Sequence, residues 1–292
     1  VTLPIGHAAG AGWTALPLLN AVLVLAVAYL LRARELAAAG RPIAAWRQSC
    51  FVAGLGLLLV ALASPLDGAA EHVFWLHMVQ HLLLLDGVAL LLLLGVDGSL
   101  LRPLMALPGV GRLRLLANPL LALPLWALVL YGWHTPVLYE AALSSEPLHY
   151  LEHLSFLAAG LAVWAAVLEP LPGAAWFGAG AKAAYVLVVR TLGGVLGSVL
   201  IWAGEPLYPG YAAGEREWGI SPLTDQALGG AIMFVEGAVV TLAIFAWLFL
   251  RWAREAELRQ ALLERGTDAR VASRAARYGR RALDPPRSPP SG

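Results

Sequence analysis

Two pairs of histidines stand four residues apart, His77 with His81 and His149 with His153, each within an apolar stretch. On a helix, side chains at i and i+4 lie one above the other, about 5–6 Å apart at Cβ. Two imidazoles at that spacing can share one metal ion. A fifth histidine, His134, follows Trp133 at the end of another apolar run. Imidazole suits copper or zinc, so these five are the candidate ligands. His72, Met78 and Glu152 are weaker ones. Met78 and Met233 would add thioethers for Cu(I), although methionine in an apolar helix is commonly packing. His7 is read as an interfacial histidine bonded to loops and water.

Two other chemistries fit the same residues. His149-Tyr150-Leu151-Glu152-His153 spells H-x-x-E-H, in which two histidines bind zinc and the glutamate acts as a general base. Short patterns of this kind recur by chance. Histidines on facing helices also serve as axial ligands of haem. Here, however, they pair along one helix and crowd toward one membrane face, which counts against an electron carrier.

Further polar residues interrupt apolar runs, where ionisable groups are expensive and usually functional. Asp86 is either support for the histidines or a protonated, hydrogen-bonded acid. Glu236 needs a partner, and Arg190 or a histidine would serve. Asp225 opens a helix whose dipole favours a carboxylate there, followed by Gln226. Gln80 lies within the first histidine motif. Gly193-Gly194 and Gly229-Gly230 would let helices approach closely. Asp86, Arg190 and Glu236 could also line a proton path, but no discontinuous-helix repeat supports a transporter.

The elements that hold these residues belong to a membrane. Of the 292 residues, 59% are hydrophobic and 13% charged, and the mean hydropathy is +0.70. Soluble domains carry about 25% charged residues. Apolar runs of roughly spanning length predict an all-α polytopic membrane protein with about seven helices, near 13–31, 48–64, 72–95, 119–137, 149–168, 183–203 and 227–250. Residues 1–250 form the transmembrane domain, and 251–292 a basic tail that is partly disordered. The first apolar run reads as a first helix rather than a cleaved signal. A net charge of +1 gives no footprint for nucleic acid, and the lone Cys50 excludes an internal disulfide framework.

Basic residues gather in alternate loops: Arg32, Arg34, Arg41 and Arg47, then Arg102, Arg112 and Arg114, then Lys182, then ten arginines from Arg251 to Arg287. The positive-inside rule therefore puts the N-terminus outside and the C-terminus in the cytoplasm. All seven histidines then fall at the outer side, as a ladder descending from His72 to His81.

Four motifs, in order, resemble those of the CtaG-type cytochrome c oxidase assembly factors. They are His77-Met78-Val79-Gln80-His81, Trp133-His134-Thr135-Pro136-Val137-Leu138-Tyr139, Leu148-His149-Tyr150-Leu151-Glu152-His153 and Asp225-Gln226-Ala227-Leu228-Gly229-Gly230. The chain departs from that pattern in lacking a proline between Leu82 and Gly95 and in its basic tail. The resemblance implies a multi-pass bacterial plasma-membrane protein that is not a turnover enzyme. Such a protein helps assemble a haem-copper oxidase by bringing copper to it, with an oxidase subunit or another assembly factor as partner. Oligomeric state is left open.

Overall fold

A computed structural model describes residues 11–107, 115, 117–171, 173–174 and 176–278, and the described residues contain helices and no strand. The order is α1 (Ala11–Ala38), α2 (Ala45–Ala63), α3 (Pro65–Ala70) and α4 (Phe74–Leu82). A π-helical segment, Leu83–Val88, joins α4 to α5 (Ala89–Gly95). Then come α6 (Gly98–Met105), α7 (Pro119–Trp133), α8 (Pro136–Ser144), α9 (Glu146–Leu168) and α10 (Ala179–Trp202). A 3₁₀ turn (Pro209–Tyr211), α11 (Ala212–Trp218), α12 (Pro222–Glu264) and α13 (Ala269–Tyr278) follow.

Six of these helices, counting Phe74–Gly95 as one, are long and apolar enough to cross a membrane. The seventh expected span, 119–137, is instead two helices. It stops at Trp133, bends by 71° and resumes as α8. Pro136 explains the break: it disfavours helical backbone at Thr135 and starts α8 as a first-turn residue. The helix expected from 72 begins at Phe74, leaving His72 in a turn. Lys182, expected in a loop, is buried in the first turn of α10. Arg47, also expected in a loop, lies in the first turn of α2, where it donates to the carbonyls of Leu94 and Val96 at 2.9 and 3.0 Å. Its guanidinium thus lies at the C-terminal end of α5, where the helix dipole favours a cation.

Two compact units divide the chain. The first comprises Val1–Gly173 and Val188–Ala238. Its helices meet where side chains vanish. A Cβ on Gly160 of α9 would overlap the backbone of Leu85 in the π segment, so α9 lies directly on that carbonyl. Gly230 of α12 likewise meets Gly197 of α10, backbone against backbone. Gly193, expected to serve this purpose, has nothing within 4 Å of such a Cβ, and Gly194 makes only ordinary contact with Phe234. The crossing is one turn further along α10.

The second unit comprises Ala174–Leu187 and Val239–Gly292. In it, α12 continues as helix past Arg251 to Glu264, because nothing between Leu250 and Glu264 breaks a helix. Arg251 and Glu255 pair at 2.6 Å, one turn apart. After Gly266 the chain returns as α13, whose Ala272 and Ala275 are buried on Leu258, Leu262 and Leu263.

A buried imidazole and carboxylate centre

His77 and His81 lie on one face of α4, and His149, Glu152 and His153 on one face of α9. The fold brings these faces together. His77 Nε2 and His81 Nε2 are 2.8 Å apart. The ring of His77 is 5.1 Å from that of His149 and 5.7 Å from that of His153, and the rings of His81 and His153 are 5.4 Å apart. Glu152 is 0% exposed, with its carboxylate oxygens 3.8 Å from His77 Nε2 and 3.7 Å from His81 Nε2. The expected ladder is therefore a cluster. Ligand atoms of His77, His81 and His153, and likewise of His77, His149 and Glu152, lie within 4.8 Å of one another.

His134, at the bend between α7 and α8, closes one side. Its Nδ1 donates to the Leu130 carbonyl at 2.7 Å, leaving Nε2 beside the Met78 sulfur at 3.3 Å. Its ring is 6.3 Å from that of His81. Met78 is buried as well, so a thioether and an imidazole adjoin the cluster.

What lacks a partner defines the centre. Buried polar groups in folded proteins are nearly always hydrogen-bonded. Here His81 Nδ1, His149 Nε2, His153 Nε2 and both oxygens of Glu152 are buried with no hydrogen-bond partner among the described residues. A cation accepting lone pairs from imidazole and carboxylate would satisfy several of them together. Tetrahedral coordination with bonds of about 2.0–2.1 Å separates ligand atoms by roughly 3.3 Å, so the His77–His81 pair needs only a small opening.

Two tyrosines that the sequence reading missed sit behind the histidines. Tyr211 Oη is 2.6 Å from His77 Nδ1 and 2.9 Å from Tyr139 Oη. For His77 Nε2 to offer a lone pair, its proton must lie on Nδ1 and be donated to Tyr211, whose hydroxyl shares a second hydrogen bond with Tyr139. Such partners set tautomer and ring orientation at metal sites. Tyr208 donates to the His134 carbonyl at 2.9 Å and stacks on Phe74, ring centroids 4.9 Å apart. Tyr139 lies within a quoted motif. For the segment Tyr208-Pro209-Gly210-Tyr211, the available signal was two tyrosines flanking a turn dipeptide.

The remaining expected residues have other partners. Asp225 does not simply face its own helix dipole; it accepts from the backbone N–H groups of Phe74 and Trp75 at 2.7 and 2.9 Å, capping α4 from across the bundle. Gln226 accepts from Leu207 N–H and donates to the Leu200 carbonyl. Gln80 donates to the Ala61 carbonyl and to Asp67. Asp86 does not support the histidines. It accepts two hydrogen bonds from Arg190, at 3.0 and 2.7 Å, and one from Trp164 Nε1 at 2.8 Å. Glu236 is 3.4 Å from Arg190, the partner expected for it. No hydrogen bond or ring contact joins His72 to the cluster among the described residues; its backbone abuts Gly214 of α11. Met233 is buried in α12, and His7 lies outside the described residues.

Fold and centre together define a class: a helical, multi-pass membrane protein with histidines and a carboxylate converging inside the bundle. The family model for the cytochrome c oxidase caa3 assembly factor (Caa3_CtaG) matches residues 27–255. The chain belongs to that family, and it is a multi-pass protein of the bacterial plasma membrane. Searches of curated proteins and of solved structures gave no match.

Proposed function

We propose that this assembly factor binds a copper ion among His77, His81, His149 and His153 and passes it to an oxidase subunit or to another assembly factor. Glu152 supplies a negative charge to the bound cation. Met78 and His134 stand beside it as a soft pair through which the ion can exchange. The arginine distribution supports an outer position for the centre, where copper would be taken up. One observation carries this reading: three imidazole nitrogens and both oxygens of one carboxylate are buried with no hydrogen-bond partner among the described residues. The direct contact between rings of α4 and α9 suits a single ion better than a porphyrin plane.

Protein purified in detergent, loaded with Cu(I) and desalted against a competing chelator, should retain stoichiometric copper by mass spectrometry. The variants His153→Asn and His77→Ala/His81→Ala should lose it while keeping the parent's elution profile. Cells carrying His153→Asn should assemble oxidase deficient in copper. Retention of zinc alone would move the reading to the H-x-x-E-H chemistry. Retention of no metal by the folded parent would overturn it.

A further inference from the structure

The second unit holds a groove of about 480 Å³ between α12, along Trp247 to Leu258, and the last turn of α13. Its lining is Trp247, Arg251, Arg254, Glu255, Leu258 and Arg277, with smaller contributions from neighbouring apolar residues. Three guanidinium groups thus face one carboxylate. The Glu255 carboxylate is engaged by Arg251 at 2.6 Å. Arg277 donates to the Phe177 carbonyl at 2.6 Å, which fixes that wall of the groove. Arg254 is exposed and has no ion pair among the described residues. The groove therefore carries net positive charge, with one guanidinium uncommitted.

Its level along the helix matters as much as its charge. α12 has 43 residues, about 65 Å of helix at 1.5 Å per residue, against roughly 30 Å of hydrocarbon. Its apolar part ends at Leu250, where Trp247, Phe249 and Trp252 adjoin the first arginine. Tryptophan with basic residues at the end of an apolar run marks the headgroup layer. Arg251 lies over the Trp247 ring, 5.4 Å from its centroid, so the groove's floor is aromatic and its rim cationic. α13 adds exposed Arg270 and Arg274 on the same short helix and contains no acidic residue.

We infer that this groove binds the headgroup phosphate of an anionic phospholipid, with Leu258 and Trp247 against the glycerol and upper acyl chain. A soluble phosphate shares the charge chemistry but gains nothing from those apolar walls. The lipid would brace α13 against α12 and anchor the end of the long helix at the membrane surface.

Native mass spectrometry of the full chain, delipidated in detergent and titrated with phosphatidylglycerol or phosphatidylcholine, tests this directly. Phosphatidylglycerol should be retained at least tenfold more tightly. Arg254→Gln should weaken it by about fivefold, the usual effect of one arginine at an anionic surface. Phosphatidylcholine retention and the melting temperature should stay unchanged. Equal retention of the two lipids, or no effect of Arg254→Gln, would overturn the inference. Displacement of phosphatidylglycerol by an equal concentration of inorganic phosphate would also overturn it, in favour of a soluble anion.

Discussion

Glu152→Gln should move stability and metal affinity in opposite directions. Glu152 is wholly buried, and neither carboxylate oxygen has a hydrogen-bond partner among the described residues. Leaving a buried polar group unsatisfied costs about 1–3 kcal/mol, and more when it is charged. Glutamine keeps the shape, removes the charge and brings an N–H group within reach of imidazole nitrogens now 3.7–3.8 Å from the carboxylate. The metal-free variant should therefore be more stable, by about 1–3 kcal/mol. In a chain of this order, each kcal/mol raises the midpoint by about 2–4 °C. With a cation bound the sign reverses, because the one negative charge facing it is gone. Affinity should fall by about 10–100-fold, the effect of losing a supporting group at a metal site. Differential scanning fluorimetry in detergent with a chelator gives the first quantity, and competition against a Cu(I) indicator gives the second. A metal-free variant less stable than the parent would show that Glu152 is a structural hydrogen-bonding group. Unchanged copper affinity would show that it does not face the ion.

Three other substitutions separate the centre from its surroundings. Tyr211→Phe removes the group that holds His77 Nδ1; copper affinity should drop by about tenfold by the same competition assay, while helicity by circular dichroism stays constant. Arg190→Met leaves Asp86 buried and unpaired, and should destabilise the fold by about 3–5 kcal/mol; adding Asp86→Leu should recover most of the lost melting temperature. Burial raises the Asp67 carboxyl from 3.8 to about 6, against a lowering by its hydrogen bond from Gln80. The folded state thus holds that proton more tightly than the unfolded chain. Its stabilising contribution is complete below about pH 4 and fades as pH rises through 6. Melting curves across that window should show the trend in the parent and lose it in Asp67→Asn; the opposite slope would refute the assignment.

The membrane class and the two histidine pairs were legible because they rest on local signals. Apolar runs declare themselves by length, and an i,i+4 pair needs only a helix to become one face. Which faces meet was not legible. Nothing local says that Glu152, an ordinary residue in an H-x-x-E-H string, lies between His77 and His81, because that depends on α9 reaching Leu85 at Gly160. The π segment was equally hidden: Leu82 to Gly95 reads as one regular helix, apolar but for Asp86. Asp86 looked like a supporting acid because regular helical geometry ran on from His81. Asp225 was read only in part for a related reason. A carboxylate in a first turn announces its own helix, and only the tertiary structure reveals that it caps another.

The π segment at Leu83–Val88 sets a wide turn inside one long helix. A π turn holds more residues than an α turn, so removing a single residue there would restore regular winding. Because the wide turn absorbs its extra residue locally, the helix on either side would keep its facing, and the residues inside Leu83–Val88, Asp86 among them, would shift against Arg190 while His77 and His81 stay in place. Descent with modification could thus retune the acid–arginine level without disturbing the histidine level, by one codon gained or lost in a run of leucines. The length of that run, rather than its composition, is then the quantity to compare among relatives.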